Sequence, residues 1–489
     1  MLSLSPIKAK INWRQILWLS IAFFALRLAS FLLRDSSLLQ ALFVLLNISV
    51  LAALFFKNKP LAWYYLLLEF VLGGAGLFFQ AFSLSLRTIL ILEFLLLYFT
   101  SIPAFAGITR GNKTATANEL AKFPRLRELI REHKNILLVF LIAILFLGLA
   151  FYLGLKNQHN LFFILQDLLP FSFFLLVFPA REFLKDKNSD KNLLNLLFIF
   201  ILGSSLWSVF NLILFQQGIA ILHSPYYNWL RDFAAAKITY LDAGFWRIVF
   251  PEQILLVASI LFLSWLYLKT KDKIYLLFLV FANIILALNI SRAYFLALII
   301  CFLFLKYQNK IKDWFLLGAF ILISFLAVFF IINLSISSAK NLGLNILGLR
   351  LPGIENIKVD ESANARLELL SEITKQIKNS PLIGQGLGLN ISFINKANLQ
   401  VNTRHFDWGY LEILAKFGVL GFLFYYYFWL KLAKNLFINK KQSINFVLLA
   451  SLVSILLANI WAQTTLHILG VIFFVFILAF SQNQRAKSC

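Results

Sequence analysis

Arg404, His405 and Asp407 stand within one short polar run, RHFDWGYLEILAKFGVLG, that leads straight into an apolar helical pattern. An imidazole with a carboxylate two positions away can be held in one tautomer and made more basic, which suits removal of a proton from a hydroxyl. A lone histidine is more often simply solvated, and Asp407 serves equally well as a cap for the following helix. Its place at the lip of an apolar segment ranks His405 above the other histidines, because a side chain there meets a substrate with its tail in lipid and its head in water.

Two arginines suggest the other half of a reaction. Arg292 lies in NISRAYF, a tight link between apolar runs, and Arg247 lies in AGFWRIVFPEQ, just ahead of Pro251. Taken singly, each reads as an interfacial arginine beside a belt aromatic, Tyr294 or Trp246. Taken with Arg366 and Arg404, they supply planar donor forks matched to phosphate oxygens, a receptor for a pyrophosphate carried on a polyprenyl tail. Glu412 and Lys416 have the spacing and order of a helical ion pair, and Arg27, Glu69 and Glu93 read as possible intramembrane pairs. The turn PLIGQGLG, with Gly384, Gly386 and Gly388, offers amides to an anion. No strand precedes it and no Lys-Ser follows, so a plain turn is the better reading. No outward cluster has metal-ligand spacing, so neither a metal nor a cofactor is expected, and no Gly-x-Ser-x-Gly elbow points to a serine hydrolase.

The elements that must position these residues are membrane helices. With 61% hydrophobic and only 14% charged residues and a mean hydropathy of +0.81, the 489-residue chain reads as an all-α polytopic membrane protein. Its apolar runs are too long for barrel strands. About 14 transmembrane helices are expected, the first four near 15–33, 37–56, 61–82 and 88–106 and the last three near 409–430, 444–461 and 466–481. The net charge of +23 is dispersed among short loops rather than gathered on one face, which argues against nucleic acid. Most of the Lys and Arg in short loops fall on the side of the termini, which places the N- and C-termini in the cytoplasm and 364–407 outside. The basic loop 107–135 reads as a topology anchor touching anionic head groups. Cys301 and Cys489 cannot form a disulfide framework.

Four regions follow: N-terminal transmembrane helices over 1–192; central ones over 193–333 with an external loop at 216–248; a large, partly helical external loop over 334–408; and C-terminal transmembrane helices over 409–489. Within the large loop, Leu367, Leu370, Ile373 or Thr374, and Ile377 mark an amphipathic helix stopped by Asn379-Ser380-Pro381. Long external loops suit an enzyme lid better than a carrier.

Three motifs in this order, NISRAYFLAL, ARLELLSEITKQIKNSPLIGQGLG and RHFDWGYLEILAKFGVLG, resemble the O-antigen ligase and O-antigen polymerase family of bacterial envelope glycosyltransferases. The resemblance covers roughly the last half of the chain. It implies a GT-C-type fold in the bacterial inner membrane and a metal-independent, inverting transfer at its outer face. A glycan would pass from undecaprenyl pyrophosphate to an acceptor glycan or lipid A core. By this likeness Arg247 and Arg292 bind pyrophosphate and His405 is the base, with Arg366, Arg404, Asp407 and Glu412 in support. Phe-Pro-Glu-Gln after Arg247 stands where the family often has Asn-Pro-Asn, and Phe-Asp follows His405 in place of the usual Asn. The alternatives are a polymerase of the same family and, from another class, a lipid-linked oligosaccharide flippase, for which Arg27, Glu69 and Glu93 are the supporting residues.

Overall fold

The structure is a computed structural model that describes residues 12–73, 78–81, 84–101, 141–186, 188–241, 244–337, 341–350, 361–394, 400–404, 406–439 and 443–486. His405 and the basic loop 107–135 lie outside the described residues, as does the side chain of Arg366.

Each of the first four helices is opened by the residue its sequence provides. Asn12 caps α1 (Trp13–Leu33), Ser36 caps α2 (Ser37–Lys57), Asn58 caps α3 (Lys59–Leu72) and Ser85 caps α4 (Leu86–Thr100), each side chain accepting a backbone N–H of the first turn. The span expected over 61–82 is shorter than its apolar content suggests. Helix α3 stops at Leu72 before the Gly73-Gly74 pair, and the residues beyond form a two-residue hairpin, β1 (Gln80–Ala81) with β2 (Leu84–Ser85).

Next come α5 (Leu141–Lys156), α6 (Leu161–Phe183) and α7 (Ser189–Gln216). The expected boundary at 192 falls inside α7. The segment after α7 holds a short helix, α8 (Pro225–Asp232), and a hairpin, β3 (Lys237–Leu241) with β4 (Phe245–Val249), in which Thr239 faces Arg247. Pro251 opens a 3-10 turn that runs into α9 (Leu256–Thr270). Then follow α10 (Ile274–Asn289), α11 (Arg292–Leu305) and α12 (Ile311–Ile336), whose end passes the expected boundary at 333.

The long segment after α12 holds α13 (Leu344–Arg350), α14 (Glu361–Asn379) and a hairpin of β5 (Ile391–Ile394) and β6 (Gln400–Thr403). The chain closes with α15 (Gly409–Ile438), α16 (Ser443–Ala458) and α17 (Ile468–Ala486). Among the described residues seven helices are long and apolar enough to cross a membrane, and five shorter apolar ones accompany them. The chain is a largely helical membrane protein.

Helix α7 packs on α1 and α10, and α16 packs on α9 and α11, so the central helices are the most buried. Many large apolar side chains of α1, α2 and α12 stay exposed, Trp18, Leu46 and Ile323 among them, as lipid-facing surfaces require. On α14 the buried stripe is Leu369 and Ile373 with Ile377 beside them, whereas Leu367 is exposed. The helix is thus rotated by part of a turn from the expected stripe, because its partners are Leu389, Ile391 and Phe406 of the same segment.

Candidate functional site

The segment between α12 and α15 is anchored by a turn that needs its glycines. Gly384, Gly386 and Gly388 have φ of 75°, 91° and 78°. That left-handed backbone is strained for other residues. Side chains there would also collide: a Cβ at Gly384 would strike the Lys416 and Gly418 backbone, and one at Gly386 the backbone of α5.

Opposite the turn, α15 breaks at Gly418, where φ is 65° and ψ −173°. A broken helix leaves carbonyls and amides without partners, a serious cost in a membrane protein. The turn supplies them. Gln385 N donates to Ala415 O at 2.8 Å and Gly386 N to Lys416 O at 3.0 Å, while Val419 N donates to Pro381 O at 2.9 Å. Leu387 N goes to Ala150 O at 3.0 Å and Gly388 N to Asp167 Oδ2 at 2.8 Å. The amides of 385–388 are all committed within the protein, so the turn is a brace and does not cradle an anion.

A buried ion triad lies under this brace. Lys416 Nζ is 2.6 Å from Glu412 Oε1 and 3.0 Å from Asp167 Oδ2, with all three side chains at most 5% exposed. Glu412 also accepts the Phe406 N–H at 2.9 Å and Gln463 Nε2 at 2.8 Å. The expected Glu412–Lys416 pair is present, but it is one edge of a network joining α6, the glycine turn, α15 and the link after α16. Asp167 and Gln463 carry no motif. Only a charge inside the apolar string LFFILQDLLPFS hinted at Asp167.

The remaining candidates are distributed as follows. Arg404 donates to Gln166 Oε1 on α6, and its guanidinium sits 5.0 Å from the centre of the Phe163 ring. Asp407 is 3.4 Å from Lys237 Nζ, the first residue of β3. The residue that caps α15 is Trp408, with no side-chain capping bond, so Asp407 is not the cap. Arg247, on β4, donates through Nε to Asn289 O at 2.7 Å. Asn289 ends α10, Ile290 follows with a φ of 42°, and Arg292 opens α11. Asn289 Nδ2 in turn donates to Gln253 Oε1 at 2.5 Å. One hairpin therefore touches both the turn that leads to Arg292 and the 404–407 segment.

Two intramembrane pairings differ from those expected. Arg27 pairs with Glu252, 2.7 Å away in the 3-10 turn after β4, and Glu69 with Arg87 at 3.4 Å. Burial selects partners by helix packing, which sequence order does not reveal.

Fold and site together define a polytopic membrane protein whose polar residues gather where the segments between helices meet helix ends. Residues 275–426, about a third of the chain, match the family model described as O-antigen ligase. The match takes in Arg292, Arg366, Arg404, His405, Asp407 and Glu412, and begins after Arg247. No curated protein matches the chain.

Proposed function

We propose that the chain is a glycosyltransferase of the O-antigen ligase type, moving a glycan from undecaprenyl pyrophosphate to an acceptor sugar at the outer face of the bacterial inner membrane, with both termini cytoplasmic. The observation that carries this reading is the bridging role of the β3–β4 hairpin. Arg247 is fastened by Asn289 O to the turn before Arg292, and Lys237 of the same hairpin reaches Asp407, two residues from His405.

In this reading the lipid-linked donor enters sideways between helices, and Arg247 and Arg292 bind its pyrophosphate through guanidinium forks. His405 takes the proton of the acceptor hydroxyl while that oxygen attacks the anomeric carbon from the face opposite the diphosphate. The carbon–oxygen bond to phosphate breaks, the configuration inverts, and the electron pair leaves with undecaprenyl pyrophosphate. Its negative charge, offset by the two arginines, supplies much of the acceleration, with positioning of the acceptor supplying the rest. Glu412 acts at one remove: buried and bound to the Phe406 N–H, it fixes the start of α15. Arg404, held by Gln166 and Phe163, and Asp407 hold the same segment, and Arg366 on α14 adds positive charge to the outer side. No metal has a part in these steps.

The test is purified protein in lipid with a lipid-linked glycan and an acceptor. Transfer should persist in EDTA, and His405→Ala should slow it by about 100- to 10,000-fold while donor binding is retained. A strict need for divalent metal, or an unimpaired His405→Ala, refutes the mechanism. A deletion strain then separates the two forms of the reaction: long unattached chains identify a ligase, single repeat units a polymerase. Transport without transfer in vesicles would identify a flippase instead.

A further inference from the structure

Outside the family-matched residues, a cavity of about 250 Å³ lies between α1, α2, α3 and α4, bordered by Phe78 and by Phe79 just before β1. Its polar edge is built from Arg27, Arg87 and Glu69, and Phe43 and Phe79 are stacked in its wall with ring centres 4.0 Å apart. Arg27 and Glu69 each carry a buried polar atom that is left incomplete. Arg27 is 0% exposed; its Nη2 donates to Glu252 and its Nε to Leu72 O at 3.5 Å, but its Nη1 has no hydrogen-bond partner. Glu69 Oε2 is ion-paired with Arg87 at 3.4 Å but accepts no hydrogen bond.

Arg27 Nη1, a donor, and Glu69 Oε2, an acceptor, border the same cavity, and buried polar groups of this kind normally find partners. The formal charges of Arg27, Arg87, Glu69 and Glu252 cancel, so an ionic guest would leave the site unbalanced. A hydroxyl both donates and accepts, and several hydroxyls on a ring with apolar C–H faces would meet the polar edge and the aromatic wall together. Water meets only the first. Mostly apolar walls with a few placed polar groups are also the usual build of a small-molecule site.

We propose that this cavity binds one neutral sugar ring of the glycan substrate. The position agrees with that role. Glu252, which holds Arg27, sits in the 3-10 turn directly after β4, and its neighbour Gln253 accepts from Asn289, whose carbonyl receives Arg247. The inference rests on the glycosyl-transfer reading for the sugar's origin, but binding can be measured without any transfer.

The experiment uses the full chain in lipid nanodiscs with free sugars as probes: a neutral hexose, an N-acetylhexosamine and a uronic acid, followed by saturation-transfer NMR. At least one neutral sugar should bind saturably, and the uronic acid should bind at least tenfold more weakly. Two variants locate the site. Glu69→Gln removes the ionised acceptor and should weaken binding by roughly tenfold or more. Gly73→Ala keeps an ordinary backbone (φ −77°) yet places a Cβ 2.5 Å from Glu69 Oε1, which displaces the carboxylate, and should have a similar effect with the melting temperature little changed. Absence of saturable neutral-sugar binding, equal binding of the uronic acid, or binding untouched by both variants overturns the proposal. Sugar binding that is lost in Gly73→Ala, in a protein that performs no transfer, would uphold the cavity and refute the transferase reading.

Discussion

The molecule has two sets of buried ions built from the same residue types, and they are finished differently. At Lys416, every buried polar atom of Asp167, Lys416 and Glu412 has a hydrogen bond, and backbone amides of Gly388 and Phe406 complete the carboxylates. Around Arg27 and Glu69 the pairs form, yet Arg27 Nη1 and Glu69 Oε2 are left over beside a cavity. A saturated network rigidifies and offers nothing to a ligand. An unsaturated one has capacity to bind. The difference separates the part that holds the segment before α15 in place from the part equipped to take something in.

The comparison is broken most directly at its saturated end. Lys416→Met leaves two buried carboxylates without their cation, and truncating one partner of a buried ion network costs about 3–5 kcal/mol. Thermal unfolding in detergent should show a large loss of stability, and transfer should fall with it because the amide of Phe406 is held by the same cluster. A variant that melts with the wild type would mean that the triad is not the support it is taken to be.

A smaller effect is expected from dismantling the other set. Removing both ends of a buried pair is often neutral, so Arg27→Met combined with Glu252→Leu should stay within about 2 kcal/mol of the wild type. Sugar binding by the same protein should drop well beyond what that change in stability explains. If stability instead falls as far as in Lys416→Met, the two ion sets are alike in function and the contrast is lost.

Much of this architecture is legible in the amino-acid string. Asn12, Ser36, Asn58 and Ser85 announce their helices, each expected span coincides at least in part with a helix, and the Asn379-Ser380-Pro381 stop ends α14 where expected. Glu412 and Lys416 are legible as a pair because both lie on one helix at a spacing that local geometry fixes. Their third partner is not. Asp167 belongs to α6, and only the packing of α6 against α15 and the glycine turn brings it to Lys416. Arg27 with Glu252 fails for the same reason, since pairing across distant helices has no periodicity to read. The glycine turn is legible as a turn, but its use appears only with the break at Gly418, whose unpaired backbone it satisfies.

The smallest effect is expected where the β3–β4 hairpin meets the 404–407 segment. Lys237 and Asp407 form an ion pair at 3.4 Å with side chains 70% and 36% exposed, so water screens it and holding two flexible side chains together offsets part of the attraction. Lys237→Ala should change stability by less than about 1 kcal/mol. Its catalytic consequence should be separable from that. If the pair helps hold the Arg247 hairpin beside the 404–407 segment, its loss should raise KM for the lipid-linked donor at low ionic strength. The difference from the wild type should shrink as salt is added, because an exposed pair is weakened by the same screening. A salt-independent rise in KM would assign Lys237 a direct contact with substrate, and no change at any ionic strength would show that the brace and the triad position the segment without help from the hairpin.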